Sequence, residues 1–171
     1  VSDRFRILFI QEGAGVLNID KNRLIFNAPA VFCINEAEKV GLLENKAVKA
    51  ASVYFHPGAI NSALDFSRLS GDRNGMSLTE RNDCTCLSPF YCRTEKFHGQ
   101  LTVGLMQFRQ MMQILKNLSG ELGGQADDFW PCRSRSFLIE ILFLLQKIYL
   151  SPNATNEILL RFVMFYFYRV R

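Results

Sequence analysis

The side chains in this sequence best suited to metal binding or nucleophilic catalysis are two histidines and five cysteines. One group has the spacing C-x-C-x5-C-x5-H and consists of Cys84, Cys86, Cys92 and His98. Structural zinc sites pair their ligands as C-x2-4-C with a second pair further along, and this group departs from that pattern. We therefore interpret these cysteines as free, partly buried thiols, with zinc binding as the alternative, and Cys33 and Cys132 as equally inert.

Enzymatic chemistry has little support in the sequence. His56 and His98 are the two histidines, so the three-histidine metal site of an enzymatic barrel cannot be built. A serine or cysteine nucleophile also needs a base within hydrogen-bond reach, and two histidines offer few arrangements. No G-x-S-x-G, P-loop or G-x-G-x-x-G motif stands at a strand-to-helix turn. The sequence therefore predicts a protein that is not an enzyme, with no cofactor and no metal.

Length and composition describe a globular protein. The 171 residues are enough for one domain or two closely packed subdomains. Hydrophobic residues make up 49% and charged residues 21%, which excludes disorder as a description of the whole chain. The net charge of +4 is too small to argue for nucleic-acid binding, because phosphate binding needs clustered charge.

The cysteine count and the apolar runs bear on the compartment. Five cysteines at irregular spacing exclude a complete disulfide framework and favour a reducing compartment, which here indicates the cytoplasm. No signal peptide is recognised, and because the sequence opens at Val1 without a methionine we expect a trimmed chain. The apolar runs at 137–150 and 158–168 are shorter than the roughly 20 residues of a spanning helix, so no membrane partner is expected.

The first third of the chain has the pattern of short strands joined by tight turns. Two glycines in Gln11–Gly15 favour a turn or bulge after the first strand, and Asp20–Asn22 suits a hairpin loop. Such spacing is typical of an antiparallel sandwich or barrel. The predicted strands are Arg4–Ile10, Val16–Ile19, Arg23–Phe26, Ala30–Ile34 and Val48–Phe55.

After Pro57 the pattern becomes helical. A short helix is predicted within 59–69 and a loop over 70–83. One apolar stripe of helical spacing then runs from Phe97 to Leu122 and ends at Gly123-Gly124. A second helix, Arg133–Tyr149, is apolar on most of its circumference, so we expect it to bury a second face against a partner subunit.

Five short segments together resemble the sensor domain of AraC-type transcriptional regulators. Their order and spacing over about residues 5–150 carry the resemblance, since each motif alone is degenerate. Two of them are the strand–G-x-G–strand opening and a strand that ends in Y-F-x-P. The segments are Ile10–Asp20, Pro29–Asn35, Ser52–Pro57, Leu87–Phe90 and Phe137–Leu142.

This resemblance implies an α+β, mainly β fold, in which a cupin-like antiparallel β-barrel or jelly roll precedes a C-terminal helical dimerisation hairpin. The barrel is expected over 1–95, the helical dimerisation subdomain over 96–150, and a linker toward an absent DNA-binding domain over 151–171. The implied function is to sense a small-molecule effector and to control a separate helix-turn-helix domain. DNA is then contacted through that absent domain, and the chain forms a homodimer.

The resemblance also implies where the effector binds. In sugar-sensing members of the family, the strand that leads into Y-F-x-P presents alternate residues to the pocket. The resemblance also turns Arg6 and Leu8 of the first strand inward, where the Arg6 guanidinium could hold an anion. Patterning alone favours the opposite, with Arg6 in solvent and Phe5, Ile7 and Phe9 inward. Small residues on the later strand favour a partly apolar effector over a sugar. The implied ligand-binding residues are Arg6, Leu8, Ala50, Ser52 and Tyr54.

The dimer interface is predicted on the last helix. Phe137, Glu140, Leu144 and Lys147 share one helical face, and antiparallel packing of two copies could pair Glu140 of one with Lys147 of the other. The alternative is that Lys147 simply solvates the helix end.

Two other functions remain open from the sequence. One is a stand-alone small-molecule-binding or isomerase-type barrel, which would need a convergent acid–base pair. The other is a ligand-free dimerisation scaffold whose barrel is filled by its own side chains, among them some of the 15 phenylalanines. Cavity volume separates sensor from scaffold, because an effector pocket usually measures roughly 300–1,000 Å³.

Overall fold

The computed structural model describes residues 3–71 and 74–151, and the predicted linker over 151–171 lies outside this part except for Ser151. Within it the fold is α+β, with a curled, antiparallel sheet of five strands and five α-helices. The elements are β1 (Phe5–Ile19), β2 (Asn22–Asn27), β3 (Ala30–Ile34), β4 (Val40–Phe55), α1 (Phe66–Ser70), α2 (Leu78–Cys86), α3 (Ser88–Tyr91), β5 (Gln100–Leu101), α4 (Leu105–Gly124) and α5 (Trp130–Tyr149).

Strand β1 is the centre of the sheet. It pairs with β4 along nearly its whole length, from Phe5 opposite Phe55 to Ile19 opposite Val40. On its other edge the first half of β1 pairs with β3 and the second half with β2. The short strand β5 extends the sheet beyond β3. Every strand pair is antiparallel, and the sheet curls into half a barrel.

A bend divides β1 into two halves. The pairing with β4 shifts register between Ile10 and Ala14 and again after Val16, so the side chains that face inward change parity. Gly13 has a φ of 92°, and a Cβ added there would lie 2.4 Å from the carbonyl oxygen of Lys46. Both halves of β1 thereby border one apolar interior, the concave face, formed by Leu8, Ile10, Leu17, Ile19, Phe26, Ala30, Phe32 and Ile34.

The opposite face of the sheet is covered by the helices. Phe5, Ile7 and Phe9 lie on this helix-covered face and are fully buried. The ring of Phe5 stacks 5.0 Å from that of Phe90 in α3, and the ring of Phe9 lies 6.4 Å from that of Phe108 in α4. One continuous core therefore joins the sheet to the helices.

Helix α5 is more deeply buried than helix α4. It packs against α4 on one side and against α2, α3 and β5 on others. These contacts bury Leu138, Ile141 and Leu145 inside the chain, so the core of the chain itself accounts for much of the nearly all-round apolar pattern. Among the described residues, no helix combines the length and hydrophobicity needed to cross a membrane.

Two strands are longer than the sequence predicts. β1 continues through residues 11–15, where the two glycines produce a bulged bend instead of ending the strand. β4 begins at Val40 instead of Val48 and includes exposed Leu42 and Leu43. Its first half lies at the sheet edge and lacks the alternation that marks a half-buried strand.

Two helical boundaries also differ from the prediction. Residues 70–83, expected to be a loop, contain the start of α2. A capping box begins this helix, because Ser77 Oγ accepts a hydrogen bond from the Glu80 N–H and Glu80 accepts one from the Ser77 N–H. α4 begins at Leu105, not at Phe97. Phe97 lies in a turn before β5, and its ring packs 4.9 Å from the ring of Tyr149.

The bend in β1 can be tested by adding one methyl group. We expect Gly13→Ala to lower the free energy of unfolding by about 3 kcal/mol, because the positive φ and the Lys46 carbonyl both oppose a Cβ. Gly41→Ala is the matched control within a strand, since a Cβ there meets nothing within 4 Å. Urea unfolding measures both variants, and equal stabilities would contradict the proposed need for glycine at the bend.

Candidate functional site

Three polar side chains meet at the open end of the concave face. Arg6 on β1 lies opposite Tyr54 on β4, and Ser52 lies opposite the neighbouring Leu8. Arg6 Nε donates a hydrogen bond of 3.1 Å to Ser52 Oγ, and the guanidinium carbon lies 5.4 Å from the centre of the Tyr54 ring. We call Arg6, Ser52 and Tyr54 the Arg6 cluster. Strand pairing thus joins residues 46 positions apart in the chain.

The five predicted ligand residues share one face of the β1–β4 pair. Arg6, Leu8 and Ile10 lie opposite Tyr54, Ser52 and Ala50 in register. Leu8 is buried, Arg6 is half-buried, and the three β4 residues are exposed.

Neither sequence-based alternative describes Arg6 fully. The residue is half-buried, whereas patterning favoured a solvated side chain. Patterning correctly turned Phe5, Ile7 and Phe9 inward, where they are buried against the helices, and it did not anticipate that Leu8 is buried as well, on the concave face. Alternation of apolar and polar residues presupposes one solvent-exposed face, whereas on this face Leu8 is buried and Arg6 is half-buried.

The Arg6 guanidinium retains binding capacity. Its Nε donates to Ser52. Within the described residues, no carboxylate oxygen lies within 4.0 Å of the guanidinium, and the two terminal nitrogens of Arg6 donate no hydrogen bond. Two terminal nitrogens of an arginine can hold a carboxylate or phosphate through paired hydrogen bonds. Contact with the Tyr54 ring restricts the side chain, and half of Tyr54 stays exposed to solvent. The cluster can therefore receive an anionic group from outside.

The concave face itself is filled by the protein. Its eight residues are at most 4% exposed, and the rings of Phe26 and Phe32 meet edge to face at 6.0 Å. One cleft of about 260 Å³ lies on the helix-covered side and is lined by Phe5, Glu36 and Tyr91 among others. An effector at the Arg6 cluster would thus lie at the mouth of the half-barrel, outside its packed interior.

A second polar cluster, which the sequence analysis missed, surrounds Arg93. Its Nε and Nη2 donate to the two oxygens of Glu38 at 2.6 and 2.7 Å. The same guanidinium donates to the carbonyl oxygens of Cys33, Pro89 and Cys92 at 2.8–3.0 Å. Because these acceptors use its donors, this cluster ties β3 to the segment after α3 and is structural.

Two of the predicted inert cysteines, Cys33 and Cys86, are buried thiols whose pKa values are raised. Burial raises the pKa of Cys33 to about 12 and, together with nearby Asp83, that of Cys86 to about 11, so both thiols stay protonated at neutral pH. Across residues 3–71 and 74–151, no group of three or more metal-ligating side chains is placed to hold a metal ion.

Each histidine lies in a local turn. His56 follows β4 as predicted, and its Nδ1 accepts a hydrogen bond from the Gly58 N–H at 3.0 Å. His98 lies in a turn before β5, not at the start of a helix as predicted, because α4 begins further along the chain.

The predicted dimer residues divide into two pairs on α5. Glu140 and Lys147 are exposed, whereas Phe137 and Leu144 are half-buried against the core. Between the two charges lies Phe143, which is 55% exposed and which the sequence analysis missed. Phe143 lies three residues after Glu140 and four before Lys147, and this spacing was the signal in the sequence that places it on their face of the helix.

The chain was also compared with known proteins. No protein-family model matches it, and no curated protein matches it. Its function must therefore be inferred from its own residues and their arrangement.

The Arg93 cluster predicts a large effect of one substitution. Glu38→Gln removes the charge opposite a guanidinium that is 21% exposed, so we expect the free energy of unfolding to fall by about 3 kcal/mol. The control is Glu44→Gln, which removes an exposed 3.6 Å pair with Arg23 worth about 0–1 kcal/mol. Urea unfolding compares them, and a Glu38→Gln loss as small as the control's would show that the cluster is not a structural tie.

Proposed function

We propose that this chain is the effector-sensing and dimerisation domain of an AraC-type transcription regulator, which controls a separate helix-turn-helix DNA-binding domain. The observation that carries the proposal is the Arg6 cluster. The residues that the family resemblance implies for effector binding come from two strands, and they share one face with a guanidinium that has donors to spare. Effector binding would shift the population of domain arrangements and so change DNA binding.

The finer description of the fold belongs to this proposal. We interpret the curled sheet, with its G-x-G bend in β1, as half of a cupin-like barrel or jelly roll. Helices α4 and α5 form an antiparallel hairpin, which Arg133 reinforces by pairing with Glu121 at 2.8 Å and Asp127 at 3.0 Å. This hairpin is proposed as the dimerisation element, and a cytoplasmic regulator is consistent with described cysteines that form no disulfide.

The effector class follows from the Arg6 cluster and its surroundings. The guanidinium favours a carboxylate or phosphate, and the Tyr54 ring offers an apolar surface beside it. Ala50 and Ser52 supply little hydrogen-bonding capacity, so a polyhydroxylated sugar is disfavoured. The proposed effector is a small organic anion with an apolar portion.

Effector binding at the Arg6 cluster is testable with matched ligands. A panel of small aromatic and branched aliphatic carboxylates, each with its neutral primary amide, is titrated calorimetrically. We expect carboxylates to bind in preference to their amides, and Arg6→Met to weaken the carboxylates about tenfold. Arg4→Met is the control, since Arg4 is an exposed arginine two residues away. Carboxylate affinities unchanged by Arg6→Met would contradict the site.

A second candidate function is a ligand-free dimerisation scaffold. The filled concave face favours it, because a scaffold needs a packed interior and no pocket. It predicts that no member of the carboxylate panel binds while the dimer persists. No comparable observation among the described residues favours a stand-alone enzymatic barrel.

The dimer is proposed to form through antiparallel α5 helices, with Phe143 at the centre and Glu140 facing Lys147 of the second copy. We expect Glu140→Lys or Lys147→Glu alone to weaken the dimer at least tenfold, since each brings like charges together. Mixing the two variants restores opposite charges at both contacts and should restore the dimer.

Sedimentation velocity measures these variants beside Glu95→Lys, which changes an exposed charge away from α5. Dimers of equal affinity in all samples would place the interface elsewhere. A wild-type monomer at high protein concentration would remove dimerisation from the proposal.

A further inference from the structure

A cleft of about 400 Å³ lies between the bend of β1 and helix α4. Its apolar lining includes Pro29, Phe108 and Met112, and its polar lining includes Glu12 and Arg109. The volume falls within the roughly 300–1,000 Å³ of small-molecule sites. We call this the α4 cleft, and none of the Arg6 cluster lines it.

One face of α4 supplies most of the wall. Leu105, Phe108, Arg109 and Met112 follow at spacings of three, one and three residues, which places them along two turns of one side. Phe108 is buried against the sheet, whereas Leu105 is 54% exposed and so leaves apolar surface at the rim. The helix therefore presents apolar area that the sheet does not cover.

The two charged side chains that line the α4 cleft differ in whether the protein already pairs them with an opposite charge. Glu12 pairs with Lys49 at 3.2 Å, so its negative charge is offset by the protein. Arg109 is exposed, and no carboxylate of the described residues lies within 4.0 Å of it. A guanidinium free of protein carboxylates beside an apolar wall matches an organic anion in both charge and surface.

We propose that the α4 cleft binds a small organic anion with an apolar body, its acidic group on Arg109 and its body on Pro29, Leu105 and Met112. Because the cleft joins the bend of β1 to the helical hairpin, a bound anion bridges sheet and hairpin. This site is separate from the Arg6 cluster and does not depend on the function proposed for that cluster.

The test uses two fluorescent dyes that differ in charge. 1-Anilinonaphthalene-8-sulfonate carries an apolar body and a sulfonate, and N-phenyl-1-naphthylamine has the same body without the charge. We expect Arg109→Met to weaken the sulfonate dye about tenfold and to leave the neutral dye within twofold. Met112→Gln should weaken both dyes, because it alters the apolar wall.

Two control variants make the result specific. Lys116→Met removes an exposed cation from the same helix outside the cleft, and Arg4→Met removes an exposed arginine that belongs neither to the cleft nor to the Arg6 cluster. Both should bind the sulfonate dye as the wild type does. The proposal is overturned if the sulfonate dye does not bind, if Arg109→Met leaves its affinity unchanged, or if Lys116→Met weakens it equally.

Discussion

The bend in β1 is the constraint on which the rest of the structure depends. A strand of 15 residues that stayed straight would present its apolar side chains on two flat faces, and the helices cover one of them. The bulges and Gly13 turn the second half of β1 back, so the sheet closes over its own residues. The α4 cleft lies beside this bend, whereas the Arg6 cluster lies on the first half of β1, where the pairing with β4 is still in regular register.

The two faces of the sheet have different roles. The helix-covered face joins sheet and helices in one core, and the Arg93–Glu38 pair anchors the end of β3 to the segment after α3. The concave face is filled by its own side chains, so it holds the curl together without leaving room for a ligand inside. Binding is therefore proposed at the margins of the fold, where Arg6 and Arg109 keep donors that the described protein does not use.

The sequence predicted the elements whose local signals are unambiguous. β3 has the predicted bounds, β2 differs by one residue at each end, and α5 begins three residues early. The glycines of β1 were harder to interpret, because the same residue type ends a strand or bends it depending on the partner strand. α2 was missed although Ser77 and Glu80 have capping-box spacing, so that signal was present in the sequence.

The site was predictable only in part. The family resemblance identified Arg6, Ser52 and Tyr54 as candidate ligand residues. Their contact with one another depends on the register of β1 with β4, and the alternation of residues along each strand does not predict that register. Arg109 and Glu12 are distant in sequence and line the same cleft only because of the fold.

The most direct test of the sensor function is native mass spectrometry of the purified chain. One spectrum reports both the oligomer mass and any small molecule retained from the cell. We predict a dimer that carries additional mass, which is lost after denaturation and belongs to an organic anion. A bare monomer at every concentration would contradict both parts of the proposed function.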